Sequence, residues 1–227
     1  MSETASARVA TGADLRHAIL DATRHLLVAD GYPNLSMRKI ASAVGCSATS
    51  IYLHFAGKDA LVHALIGEGM EALFDALQAA DPGGDALARL DAMSRAYVAF
   101  GLANPELYEV MFQLHPAQME RFPADEYRRA RRNLDLFEEV LHSGAEAGTL
   151  DASPTPEVAA HALWTSLHGL VSLRLAERVD VRLADEEFTD AAIARLKGAA
   201  PASIEEAATI AAIDADVRRR VIERLKT

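Results

Sequence analysis

The chain has 227 residues, half of them apolar and a quarter charged, a balance that excludes a disordered polymer and permits a substantial core. Alanine and leucine outnumber β-branched and aromatic residues, which favours helices packed on helices. A single cysteine, Cys46, excludes an internal disulfide and any paired-cysteine metal or redox motif. No stretch reaches the ~18 consecutive apolar residues of a membrane span. The small, polar residues Met1 to Ala13 lack the apolar stretch of a signal peptide, so the expected location is the cytoplasm. Net charge is −10, yet residues 1–60 carry six basic against five acidic side chains. The acidity therefore lies in the C-terminal part, and the N-terminal part is free to approach phosphates.

Helical periodicity runs nearly throughout, and no strand is read. The first helix is expected over about Gly12 to Asp30, with Leu15, Ile19, Ala22 and Leu26 on one face. Gly31 stops it and Pro33 follows. Ser36 is read as the N-cap of a short helix ending near Val44, Gly45 as the turn, and Ser47 as the cap of a second short helix through His54. Lys58-Asp59 opens a long helix to about Ala80, and Asp81-Pro82-Gly83-Gly84 is the clearest interior linker. Further helices are expected from about Asp85 to Ala103, from Asn104-Pro105 to about Leu114, and from Asp125 to Ala147. Two more cover about Pro156 to Arg178 and Asp185 to Leu196. Beyond Gly198-Ala199-Ala200-Pro201, an amphipathic pattern (Ala208, Ile210, Ile213, Val217, Val221, Leu225) suggests one last helix.

The pair of short helices around Gly45 has the dimensions of a helix-turn-helix, with Ile40, Val44 and Ile51 placed to lock it together. Ser47, Ala48, Thr49 and Ser50 give the second helix a small, polar leading end that suits close approach to base edges. Tyr52 and His54 lie where they can donate to phosphates. Lys58 adds an ammonium at a helix N-terminus. Arg38 and Lys39 either assist at the backbone or form a solvated face, and Phe55 and Cys46 are read as packing residues. His17, Asp21 and His25 recur at four-residue steps, a spacing that can bind metal. Their place opposite the apolar face makes an exposed polar surface the better reading, so no metal or cofactor is expected.

The stretch from Arg16 to Leu65 resembles the tetracycline-repressor (TetR) family. The matching segments are Arg16-His17-Ala18-Ile19-Leu20-Asp21-Ala22, Gly31-Tyr32, Ser36-Met37-Arg38-Lys39-Ile40-Ala41, Val44-Gly45-Cys46-Ser47 and Ile51 through Leu61. Within the last, Tyr52-Leu53-His54-Phe55 followed by Lys58 is the most specific run. The resemblance implies an all-α protein: a three-helix DNA-binding domain over residues 1–57, then a larger helical ligand-binding and dimerisation domain over 58–200. Residues 58–80 would connect the two, and residues 201–227 would form an extension. It implies base contacts from Ser47, Ala48 and Thr49, and phosphate contacts from Ser36, Tyr52, His54 and Lys58.

In the C-terminal part, Met93, Tyr97, Phe100, Tyr108, Met111 and Phe112 concentrate bulky and soft side chains, with Leu107 beside them. They make either a plain core or the lining of an apolar pocket. Trp164 and His168 share a helix face, and Gly169 would admit a neighbouring helix. The Trp164-Thr165-Ser166-Leu167-His168-Gly169 run resembles the family subtype named for a Trp–His–Gly signature. The resemblance also implies a homodimer formed through helices 156–178 and 185–196, double-stranded operator DNA and a small-molecule effector as partners, and no membrane. Arg128, Arg129, Arg131 and Arg132 are expected to pair with Asp125, Glu126, Asp135 and Glu138 on a solvated face. No nucleophile elbow, phosphate-binding glycine loop, HExxH or framed carboxylate pair is present, so no enzyme is expected. The expected function is a repressor released by an apolar or amphipathic effector. The alternatives are an activator of the same fold, and a helical dimeric adaptor without DNA binding.

Overall fold

The computed structural model describes residues 12–112, 123–150, 154–178, 186–187 and 189–191. Among these, every regular element is helical. They are α1 (Gly12–Asp30), α2 (Met37–Val44), α3 (Ala48–Tyr52), α4 (Lys58–Ala80), α5 (Ala86–Ala103), α6 (Pro105–Phe112), α7 (Ala124–Glu146) and α8 (Pro156–Leu175), with a short 3₁₀ turn at Tyr32–Asn34. The expected end of α6 at Leu114, the helix over 185–196 apart from a few residues, and the tail from Ile204 lie outside the described residues. No helix among those described is long and apolar enough to cross a membrane.

The helix boundaries follow local chemistry. Ser36 Oγ accepts the Lys39 amide at 3.3 Å and Ser47 Oγ accepts the Ser50 amide at 3.0 Å, so both short helices start on a hydroxyl cap. Gly45, at φ +76°, is the left-handed residue that ends α2, its amide bonded to the Ala41 carbonyl at 2.9 Å. α3 stops at Tyr52, two residues before the expected end. The amides of His54 and Phe55 turn back onto the Ile51 carbonyl at 2.9 and 3.0 Å and close the helix there. Asp85 Oδ2 caps α5 through the Ala88 amide at 2.9 Å.

Two compact units divide the chain: Met1–Ala76 with Ala99–Asn133, and Leu77–Val98 with Leu134–Thr227. The core of the first joins Ile19, Leu20 and Leu27 of α1, Ile40 and Ala41 of α2, Ile51 of α3, Phe55, Leu61, Val62, Leu65 and Ile66 of α4 and Val110 of α6. α1 packs on both α2 and α6. The buried face of α1 is Ile19, Leu20, Thr23 and Leu27, rotated from the expected one, and Leu15, Ala22 and Leu26 flank it half-buried. Thr23 is tolerated there because its hydroxyl donates to the Ile19 carbonyl at 2.7 Å.

In the second unit Met93, Tyr97, Phe137, Leu163 and Leu167 are buried. The α4–α5 linker is held by a fork in which Arg89 Nε and Nη2 donate to Asp81 at 2.9 and 2.7 Å. That pairing holds the Asp81 carboxyl below its ordinary range.

Candidate functional site

The eight residues expected to meet DNA fall within 23 positions of the first unit, on α2 and α3 with their caps, on the turn after α3 and at the start of α4. Ile40 and Ile51 are both fully buried and fix α2 and α3 to the core, while Val44 is half-buried beside them. A five-residue helix has no stability of its own, since isolated helices need roughly 12–15 residues to persist. α3 therefore exists because Ile51 anchors it and Ser47 caps it.

With Ile51 inward, the outer face of α3 presents Thr49 and Tyr52, the latter 55% exposed. Ser47 is exposed at its front and Ala48 is half-buried. Ser36 and Arg38 are exposed on the first turn of α2. Lys39 is engaged by Asp30 at 2.8 Å, which accounts for it as a structural cation. His54 is half-buried beside Phe55. Lys58 Nζ lies 4.2 Å from the centroid of the Tyr32 ring, so an aromatic face steadies the ammonium at the start of α4. The exposed groups of this segment are thus small hydroxyls, a phenol and a guanidinium, followed by a cation at a helix N-terminus. Such groups can donate to phosphates and meet base edges in a major groove.

The residues expected to hold an effector divide between the units. Met93, Tyr97, Trp164 and His168 belong to the second, and Phe100, Tyr108, Met111 and Phe112 to the first. Met93, Tyr97, Tyr108 and Met111 are buried, and Phe100, Phe112, Trp164 and His168 are half-buried. Within the first unit the Tyr108 and Phe112 rings pack at 4.7 Å. Within the second, Trp164 and His168 stack at 5.3 Å, as their four-residue spacing on α8 implies. An open cleft of about 560 Å³ in the first unit is lined instead by Arg16, Ala64, Gly67, Glu68, Met70, Glu71, Glu126, Arg129, Ala130 and Arg132.

Burial pushes the His168 imidazole below its ordinary value, so it is neutral near pH 7. The folded protein then binds this proton less readily than the unfolded chain. Its stabilising share is full above the ordinary histidine value of about 6.5 and is lost as pH falls through and below it. The melting temperature is expected to drop between pH 7.5 and 5.5, and His168→Gln to flatten that drop. An identical slope in the variant would remove His168 from the account.

Three features escaped the sequence reading. Arg132 leaves its expected helix-mates and pairs with Glu71 of α4 at 2.6 Å, its guanidinium lying 4.4 Å from the Phe74 ring. Arg129 does pair locally, with Glu126 at 3.3 Å. His25 is exposed, as expected, but it also meets Glu106 at 2.9 Å, beside Asp21 at 3.7 Å, and so ties α1 to α6. The third is Gly69, where an added Cβ would lie 2.6 Å from Met111 Sδ, which marks the close approach of α6 to α4. Only Gly69 carried any signal in the sequence, as a glycine inside a helix.

The family models agree with this arrangement. Residues 19–65 match the bacterial regulatory proteins of the tetR family, and residues 90–196 match the tetracyclin repressor-like C-terminal domain. No curated protein sequence matches the chain. Among solved structures it is similar to the fatty acid degradation regulator FadR from Bacillus halodurans, with 20% identity and TM-score 0.68 over 82% of this chain and 96% of that one. It is also similar to a tetR-family regulatory protein from Rhodococcus RHA1, with 24% identity and TM-score 0.66 over 82% and 98%. A third is the regulator PfmR from Thermus thermophilus, with 21% identity and TM-score 0.63 over 79% and 97%. These three likenesses are of fold. The helix-turn-helix and the two family matches together show that the chain belongs to the TetR family of transcriptional regulators, with its DNA-binding domain at the N-terminus.

Proposed function

We propose that the protein is a homodimeric repressor that holds its operator through α3 and releases it when a small apolar or amphipathic effector binds. The observation that carries this reading is the orientation of α3. Ile51 is fully buried, and it leaves Thr49 and Tyr52 facing outward behind the Ser47 cap. Ser47, Ala48 and Thr49 would meet bases, while Ser36, Arg38, Tyr52, His54 and Lys58 would hold the backbone.

α6 is the natural receiver of the effector signal. Its Val110 belongs to the same core as Ile51, and Glu106 grips Arg24 and His25 of α1. Tyr108, Met111 and Phe112 flank Val110 on that helix. A ligand that prefers one placement of these side chains biases the helix-turn-helix by its differential affinity. The dimer is proposed to form through α8 and residues 185–196. α8 exposes Val158 and Leu173 on a face with Ala162, Thr165 and Ser166, and nothing lies within 4 Å of a Cβ built on Gly169.

The test begins with a duplex selected from a random pool by the wild-type protein, its binding followed by fluorescence anisotropy. Tyr52→Ala and Lys58→Ala are each expected to weaken binding about tenfold, in line with 1–3 kcal/mol for a good contact, and Lys58→Ala to lower the salt slope by about one. Medium-chain fatty acids and aromatic amphiphiles are the effector panel; a true effector both raises the melting temperature and releases the duplex. A promoter reporter bearing the selected site must fall on expression of the protein and recover with that compound. Unaltered binding in both variants would refute the contact assignment, and a reporter that rises would refute repression.

A further inference from the structure

We propose that Arg16 is a positioning residue: it sets the helix-turn-helix against α4, acting through Glu68 and Phe55 and not through DNA. The inference rests on the DNA-binding reading above. Arg16 leaves α1 and its Nη1 donates to the Glu68 carboxylate of α4. The same guanidinium lies over the Phe55 ring, 5.3 Å from its centroid. Phe55 is nearly buried, and its amide is bonded to the Ile51 carbonyl at 3.0 Å, so the ring is fixed to the end of α3. One side chain thereby touches α1's own helix, the exit of the recognition helix and the middle of α4.

The middle of α4 is where such a contact has most leverage. Glu68 stands between Gly67 and Gly69, the residues least able to hold a helix by themselves. Outside contacts supply what they lack. One turn on, Glu71 takes Arg132 of α7, and Asn133, buried on α7, donates to the Met70 carbonyl at 3.0 Å. Residues 67–71 are thus held both from α7 and, through Arg16, from α1. Arg16 lines the cleft of about 560 Å³ together with Glu68 and Arg132, and none of the eight expected DNA-contact residues lines it. Its charge is paired with Glu68 at the cleft, where both side chains are part-exposed.

The experiment uses full-length protein and the duplex selected by the wild type. Arg16→Gln and Glu68→Gln are each expected to weaken binding three- to tenfold, and the double variant no more than the worse single one. The charge swap Arg16→Glu with Glu68→Arg should regain most of the loss. In all of them the slope of log K against log salt should match the wild type, because no phosphate contact has gone, whereas Lys58→Ala lowers it by about one. Amide exchange across residues 48–55 in the absence of DNA should quicken in both single variants. Should Arg16→Gln fail to fold, Glu68→Gln, which keeps the guanidinium over Phe55, carries the same comparison. The inference is overturned if Arg16→Gln lowers the salt slope by about one while Glu68→Gln binds normally, since Arg16 would then be a phosphate contact. It is equally overturned if both variants bind as wild type or their losses add. A wild type that selects no duplex overturns the DNA-binding reading and this inference with it.

Discussion

Replacing Ile51 with alanine is expected to destabilise the protein by about 3 kcal/mol, since burying a whole branched side chain and then leaving its cavity costs roughly 2–5 kcal/mol. Ile51 is fully buried, and it is the only fully buried apolar residue of the five in α3. Five residues cannot keep helical form without that anchor. Operator affinity should therefore fall by more than the tenfold expected of a single lost contact. The neighbouring residue makes the control. Tyr52→Ala removes an exposed ring and should leave stability within about 0.5 kcal/mol, as for other surface changes. Melting curves and anisotropy on the same samples separate the two. Ile51→Ala with wild-type melting, or Tyr52→Ala with a large melting shift, would mean that α3 is held in some other way.

The second large effect is expected at Gly69. A Cβ there would stand 2.6 and 2.8 Å from Met111 Sδ and Cγ and 3.0 Å from Leu107 Cδ1. Gly69→Leu must push α6 from α4, an overpacking worth about 1–3 kcal/mol or somewhat more. Alanine is a poorer test, because Met111 is flexible and the helix gains up to about 1 kcal/mol when a glycine is replaced. Met111→Ala alone should cost about 2–5 kcal/mol as a cavity. Together the two changes exchange volume, so the double variant should be more stable than the sum of the singles by about 1–3 kcal/mol. The readout is the double-mutant cycle on denaturant midpoints. Simple additivity would show that α4 and α6 do not meet at Gly69. Because α6 also carries Val110 into the helix-turn-helix core, Gly69→Leu should weaken operator binding even where the protein remains folded.

What the sequence discloses and what it hides follow from the range of each interaction. Caps are local: Ser36, Ser47 and Gly45 each act within four residues, and all three sit where the sequence places them. So are the buried anchors Ile40 and Ile51, because a helix of eight or five residues with one apolar stripe has one way to face a core. Longer helices are less decisive. The apolar stripe of α1 is broad enough that the burial of Thr23 in place of Ala22 was not legible, and its hydroxyl finds a partner only once the helix exists. The bond of Arg132 to Glu71 spans 61 positions, and that of Arg16 to Glu68 spans 52. No periodicity encodes a pairing at that range, so the local partners of Arg132 on α7 looked sufficient. The residues expected to hold an effector stand out only by composition. Tyr97 and Tyr108 are buried as aromatic residues in a helical protein should be, which suits a core and a pocket equally.

Entry of α3 into a major groove is read out by protection of guanine N7 from methylation on the selected duplex, since N7 is exposed only there. The expected result is two protected clusters centred about 10–10.5 base pairs apart or a multiple of that, as two recognition helices of a dimer require. Both should vanish with a Thr49→Ala, Tyr52→Ala double variant. Tight binding with every N7 still reactive would mean that the protein holds DNA by its backbone or minor groove and that α3 is not its reader.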